Sequence, residues 1–123
     1  MAYSPYRKGT LLIPTGGTKH LFIIVTDRCD EGCHLLVNLS TVKGGFHDQT
    51  CILEPGCHRF ISEKSYAVYR LAEIQPATRL SKMVDGWVYS THDDASEDLA
   101  NQIMAGVCVS PHTPRRIKNY IGC

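Results

Sequence analysis

The strongest constraint in the chain is the run His20-Leu21-Phe22-Ile23-Ile24-Val25-Thr26. Its β-branched and aromatic side chains suit a pleated strand, and its middle has no polar alternation. A short continuous apolar run of this kind reads as a central strand buried on both faces. Such a strand needs a neighbour on each side and a covering layer above and below. The run is also far short of the roughly 20 apolar residues of a membrane span.

Further strands follow at short intervals. Thr10-Leu11-Leu12-Ile13 reads as a strand stopped by Pro14 and by the Gly16-Gly17 turn. Residues 27–32 form a polar turn. Residues 34–39 form the next strand, with Leu35, Val37 and Leu39 on one face and Ser40 and Thr41 at its end. Residues 42–49 are a loop carrying Gly44-Gly45. Residues 50–53 are a short strand closed by Pro55-Gly56, and residues 65–71 are the last clear strand. This spacing predicts a small barrel or a strongly bent sheet.

After Pro76 the pattern changes. Residues 78–83 predict a helical turn, and Trp87-Val88-Tyr89 a late strand. Residues 93–96 offer N-caps for a helix to about Val107, with Leu99, Ile103 and Val107 on one face and Glu97 and Asp98 in the first turn. Thr113 as N-cap and Pro114 at the first helical position predict a second helix carrying Ile117, Tyr120 and Ile121. Arg115 and Arg116 then occupy a helix start, where cations are disfavoured. That placement is read either as a solvated helix end or as an anion site.

The length of 123 residues, with 43% hydrophobic and 20% charged, predicts one domain. Its barrel covers about residues 8–91 and its helical part about 94–121. Residues 1–8 lack an apolar run of signal type, so a cytoplasmic location is expected. Thirteen Lys and Arg against twelve Asp and Glu give no global field for nucleic acid. The balance hides local clusters, however. Arg7, Lys8 and Lys19 are basic, Asp93, Asp94, Glu97 and Asp98 acidic, and Arg115, Arg116 and Lys118 basic.

Six cysteines admit three readings. Three disulfides suit an oxidising compartment, which is not the expected one. A zinc site could draw on Cys29, Cys33, Cys57 and His58, but no Cys-x2-Cys pair is present. In the third reading they are small, weakly hydrophobic residues in strands and turns. Cys123 is expected to be mobile. No metal and no cofactor are expected.

There is no phosphate loop, Gly-x-Ser-x-Gly elbow, His-Glu-x-x-His or dinucleotide fingerprint. What remains is a set of polar residues at strand ends and in loops. If the second and third strands pair antiparallel, His20 meets Ser40 and Thr41 at one end of the sheet. The loop Pro55-Gly56-Cys57-His58-Arg59-Phe60 adds an imidazole, and Arg59 and Lys64 add cations beside Lys19. Such a group suits metal-free RNA cleavage: proton transfer at the ribose 2′-hydroxyl and the 5′-oxygen, with cations or hydroxyls stabilising charge on phosphorus. His20 and His58 read equally as structural, Ser40 and Thr41 as turn caps. Tyr66, Tyr69 and Phe60 read as base-stacking or as core.

In the order of these segments the chain resembles the MazF/PemK toxin family over residues 8–80. Lys8-Gly9-Thr10-Leu11-Leu12-Ile13 resembles its opening Gly-Asp-hydrophobic strand, and residues 20–26 its second strand. Val37-Asn38-Leu39-Ser40-Thr41 resembles its strand ending in Thr-Ser, and residues 65–80 its Ser-x-hydrophobic strand with a closing Arg-Leu. The resemblance implies a mainly β (α+β) fold, a small SH3-like β-barrel of MazF/PemK type, here with two C-terminal helices. It implies a homodimeric endoribonuclease countered by an antitoxin protein, cutting single-stranded RNA without metal. His20 (or Lys19) stands where the family has its catalytic Arg, and Ser40 or Thr41 where it has Thr or Ser. The expected catalytic set is therefore His20, Ser40, Thr41 and His58, with Lys19, Arg59, Lys64, Arg115 and Arg116 for RNA. Residues 48–65 also resemble small prophage- and plasmid-borne proteins of this barrel type. The family's Arg-Pro pair is absent. That departure keeps an alternative open: a non-catalytic barrel from a mobile element, binding a protein partner or nucleic acid.

Overall fold

A computed structural model describes residues 2–123. The elements run β1 (Thr10–Thr15), β2 (Thr18–Ile24), β3 (Cys33–Thr41), β4 (Ile52–Leu53), β5 (Ser65–Pro76), α1 (Ala77–Asp85), β6 (Ser90–His92), α2 (Glu97–Val107) and α3 (Arg115–Ile121). The strands form one antiparallel sheet in the order β4-β5-β3-β2-β1-β6. The run at residues 20–26 lies in β2 and just beyond it, in the middle of this sheet. The mainly β architecture matches the expectation, but the barrel does not close through backbone ladders, because β4 and β6 are both edges.

Side chains join those edges instead. In the β4–β5 loop, His58 Nε2 donates to the Asp93 carbonyl at 2.6 Å, and Arg59 pairs with the Asp93 carboxylate at 3.0 Å. The rings of His58 and Phe60 lie 5.2 and 5.6 Å from that of His92. The half-barrel is thus curled into shape by a polar and aromatic seam.

The β1–β2 hairpin turns through Gly16 and Gly17, at φ 56° and 87°. Two successive positive φ angles match the twist of a two-residue hairpin and are accessible to glycine at little cost. β1 does not stop at Pro14. It continues to Thr15, with Pro14 opposite Lys19. This is tolerated because β6 pairs only with Thr10 to Leu12, so no neighbour needs an N–H from Pro14. β5 runs beyond Leu71 to Pro76. A register shift opposite Leu36 and Asn38 lets it bend and keep pairing along β3.

Alternation in the strands creates two cores. On one face Leu21, Ile23, Val25, Leu35, Val37, Leu39, Ala67 and Tyr69 pack under Leu99, Ile103 and Val107 of α2 and Ile117 of α3. Tyr69 is fully buried and donates to the Ile103 carbonyl at 2.7 Å. Its hydroxyl occupies the space that a Cβ on Gly106 would fill. On the other face Leu11, Ile13, Phe22, Ile24 and Leu36 pack with Leu80 of α1 and Tyr89.

The helical region departs from expectation in four places. Residues 78–83 belong to the full helix α1. Trp87, Val88 and Tyr89 form its C-terminal turn rather than a strand, with Trp87 at φ 64° and β6 starting only at Ser90. Thr113 does not cap α3. Pro114 holds that position, and the buried Thr113 hydroxyl has no partner. Cys123 is bonded to Cys108, a disulfide joining the end of α3 to the end of α2. The expected cap of α2 is observed, with Ser96 Oγ accepting from Leu99 N at 3.0 Å. No described helix is long and apolar enough to cross a membrane.

Candidate functional site

The β2–β3 ladder pairs Leu21 with Leu39 and Phe22 with Asn38. Continued by one residue, this register sets Ser40 opposite His20. Ser40 in turn pairs with Tyr66 of β5, and Asn38 with Val68. Two rows of side chains therefore cross the same face, His20–Ser40–Tyr66 and Phe22–Asn38–Val68. Helix α1 covers the far end of this face and leaves the near end open.

The open end is a cleft with two lobes. The smaller, about 260 Å³, is lined by Lys19, His20, Ser40 and Thr41 from the sheet, by Lys43 just beyond β3, and by Phe60 and Glu63 from the β4–β5 loop. The larger, about 600 Å³, is lined by Thr15, His20, Asn38, Ser40, Tyr66, Arg70, Glu73 and Arg116. His20 and Ser40 line both lobes. Each lobe carries two basic side chains and one carboxylate, so each favours an anion even though the whole chain is nearly neutral.

Thr15 Oγ1 is hydrogen-bonded to His20 Nδ1. That contact orients the ring and leaves Nε2 for the cleft, the arrangement in which a histidine can exchange a proton with a bound group. Asn38 is 4% exposed, and its Oδ1 has no partner. An unmade bond at such depth costs about 1–3 kcal/mol.

The structure brings together His20, Ser40, Thr41, Lys19 and Arg116 of the expected residues. It does not bring His58, Arg59, Lys64 or Arg115 into either lobe. His58 is buried, its Nε2 donates to Asp93 O, and its Nδ1 accepts from Phe60 N at 3.0 Å. Neither ring nitrogen is free for proton transfer, and the side chain orders the seam. Arg59 is engaged by Asp93. Of the three candidate stacking residues, Tyr66 and Phe60 line the cleft, whereas Tyr69 is core, and burial pushes its hydroxyl pKa well up.

Six of these lining residues were missed: Thr15, Asn38, Lys43, Glu63, Arg70 and Glu73. Counting by two from His20, Ser40 and Tyr66 would have found Asn38 and Arg70, since alternate strand residues share a face. Nothing local marks Lys43 or Thr15.

The zinc reading fails on topology. Cys33 pairs with Pro76 at one end of β5, whereas Cys57 and His58 precede Ser65 at the other end. Among the described residues no group of three or more His, Cys, Asp or Glu is placed to hold a metal.

No protein-family model matches this chain, and no curated protein matches it in sequence. Among solved structures, the chain is similar to the crystal structure of MazE-MazF (Form-II) from Deinococcus radiodurans. The TM-score is 0.57 and the identity 9%, over 87% of this chain and 94% of that one. At that identity the likeness carries the fold, and the curled six-stranded sheet with its three helices is a MazF-like α+β fold.

Proposed function

We propose that the chain is a toxin-like, metal-independent endoribonuclease that binds single-stranded RNA across the open face of its sheet. The observation that carries this reading is the position of His20 and Ser40, at the junction of two lobes that each favour an anion. RNA is a chain of anions with a nucleophile beside each, so a cleavage site needs anion binding on both sides of a proton acceptor.

In this reading His20 Nε2 takes the proton of the ribose 2′-hydroxyl. The 2′-oxygen bonds to phosphorus, and the bond to the 5′-oxygen breaks. The leaving oxygen takes a proton from the ammonium of Lys19 or Lys43, and the products are a 2′,3′-cyclic phosphate and a 5′-hydroxyl. Ser40 and Thr41 hydroxyls donate to the non-bridging oxygens as charge develops. Arg70 and Arg116 hold flanking phosphates, while Tyr66 offers a ring for a base. An antitoxin partner and a second copy of the chain are part of this reading, in keeping with the MazE-MazF pairing in the similar structure.

The test is incubation of the purified protein with single-stranded RNA in excess chelator, with product ends read by sequencing. Cyclic-phosphate ends from the wild type, absent from folded His20→Ala and Ser40→Ala variants, are expected. Salt-dependent binding of RNA without any cleavage would replace this reading with that of a non-catalytic nucleic-acid module.

A further inference from the structure

Outside the cleft, four cysteines carry free thiols. Cys51 is buried, its thiol against the Gln102 carbonyl, and Cys57 is exposed. Cys29 and Cys33 are different. The turn between β2 and β3 folds them together: Cys29 N donates to Cys33 O at 2.9 Å, and Gly32 N to Cys29 O at 2.8 Å. Cys33 N also donates to Cys29 Sγ at 3.4 Å, and the Cys33 thiol to the Glu31 carbonyl at 3.9 Å. One tight turn thus holds the two residues together, with Cys29 Sγ against the backbone of Cys33. Such proximity is what closing a disulfide requires. Both residues are half-exposed.

We propose that Cys29 and Cys33 form a redox-active dithiol, converted by low-molecular-weight disulfides of the glutathione class into a Cys29–Cys33 disulfide. The Cys29 thiolate attacks one sulfur of oxidised glutathione, the S–S bond of the oxidant breaks, and one glutathione thiolate leaves. Cys33 then loses its proton to solvent and attacks Cys29 Sγ, releasing the second glutathione. Two electrons and two protons have moved from the protein to the oxidant, and one intramolecular S–S bond has formed.

The surroundings give the two sulfurs different roles. Tyr120 of α3 lies over the turn, with its hydroxyl donating to the Cys33 carbonyl at 3.2 Å. The nearby Tyr120 hydroxyl, with the Cys33 N–H, holds the Cys29 thiol below its ordinary value. Burial pushes Cys33 up, and the neighbouring Cys29 and Glu31 add to it. Asp30 stands in the same turn, and the Arg28 guanidinium lies beside Gly32. A thiol that ionises first attacks first, and its protonated neighbour resolves the mixed disulfide. Tyr120 is a positioning residue in this scheme. The Cys108–Cys123 bond is separate, joining the ends of two helices.

The experiment treats the full chain with oxidised glutathione at neutral pH and follows intact mass and disulfide-linked peptides. The wild type should lose two hydrogens and give a peptide pair linking positions 29 and 33. Cys33→Ser should stop at a stable glutathione adduct on Cys29, and Cys29→Ser should form no new intramolecular bond. In Tyr120→Phe, the pH profile of Cys29 alkylation by iodoacetamide should move to higher pH, with Cys57 unmoved as internal reference. Glutathione carried mainly by Cys57, or a wild type that never closes the 29–33 bond, overturns the proposal.

Discussion

The two faces of the sheet come from the same strands and end differently. On the closed face, β2, β3 and β5 present Leu21, Ile23, Leu35, Val37, Leu39 and Tyr69, and α2 and α3 cover them. On the other face the same strands present Phe22, Ile24 and Leu36 near α1, then change to His20, Asn38, Ser40 and Tyr66. The first face is uniformly apolar and excludes water. The second changes character halfway along, and its polar half is the cleft. Period-2 alternation lets one set of strands build a core and an open polar cleft back to back.

The sharpest way to test that contrast is His20→Ala, a change on the open face. Cleavage of RNA should fall about 10²–10⁴-fold, the usual scale for a general acid or base. Unfolding in urea should be little affected. Full activity in a folded variant would remove His20 from the chemistry.

Ile103→Ala should do the reverse. Ile103 is fully buried on the closed face, and its truncation should cost about 2–5 kcal/mol of stability, measured by the urea midpoint. A loss under about 1 kcal/mol would mean that the two faces are not as unequal as their packing.

Ser110 lies in the connection between α2 and α3. It is fully buried and donates to Asp48 Oδ2 at 2.6 Å, tying the loop at residues 42–51 to the α2–α3 connection. Burial alone would raise the Asp48 pKa, but donors from Ser110 and Thr50, with His112 nearby, hold it below the ordinary value. A depressed carboxyl stabilises the fold above the unfolded value, about pH 4, and that contribution fades as pH falls through the folded value. Ser110→Ala should therefore cost about 1.5–3 kcal/mol at neutral pH. The gap to wild type should narrow below about pH 4, in urea melts across pH. A gap unchanged with pH would show that the bond is not charge-assisted.

Arg116→Ala should have a smaller effect, lowering the slope of log affinity against log salt by about one phosphate contact. An unchanged slope would place Arg116 outside the RNA path. Smallest of all in stability terms is Asn38→Leu. It removes an unpartnered buried acceptor, so the melting temperature should stay level or rise. A clear loss of stability would mean that the amide is bonded in solution and that this part of the face belongs with the core.

Much of this is legible in the sequence. The central strand, the Gly16-Gly17 hairpin, the Ser96 cap and the meeting of His20 with Ser40 all follow from local residue chemistry and one pairing assumption. The His58 environment did not, because its partner Asp93 is 35 residues away and meets it only when the two sheet edges approach. The continuation of β1 through Pro14 was equally hidden, since it depends on how far β6 extends. Cys108 and Cys123 lie 15 residues apart, and only the packing of α3 against the sheet brings their sulfurs together.

The residues themselves determined a β-rich body, the alternation that gives each strand two faces, and the helix starts. Propensity, turn chemistry and period act over a few residues, so they are written in the chain. The tertiary structure alone decided that the half-barrel is closed by a side-chain seam, that α1 covers only part of one face, and that Arg116 reaches the cleft while Arg59 turns away from it. Those outcomes depend on the relative placement of segments far apart in sequence, which is set by burial of the whole core and not by any local motif.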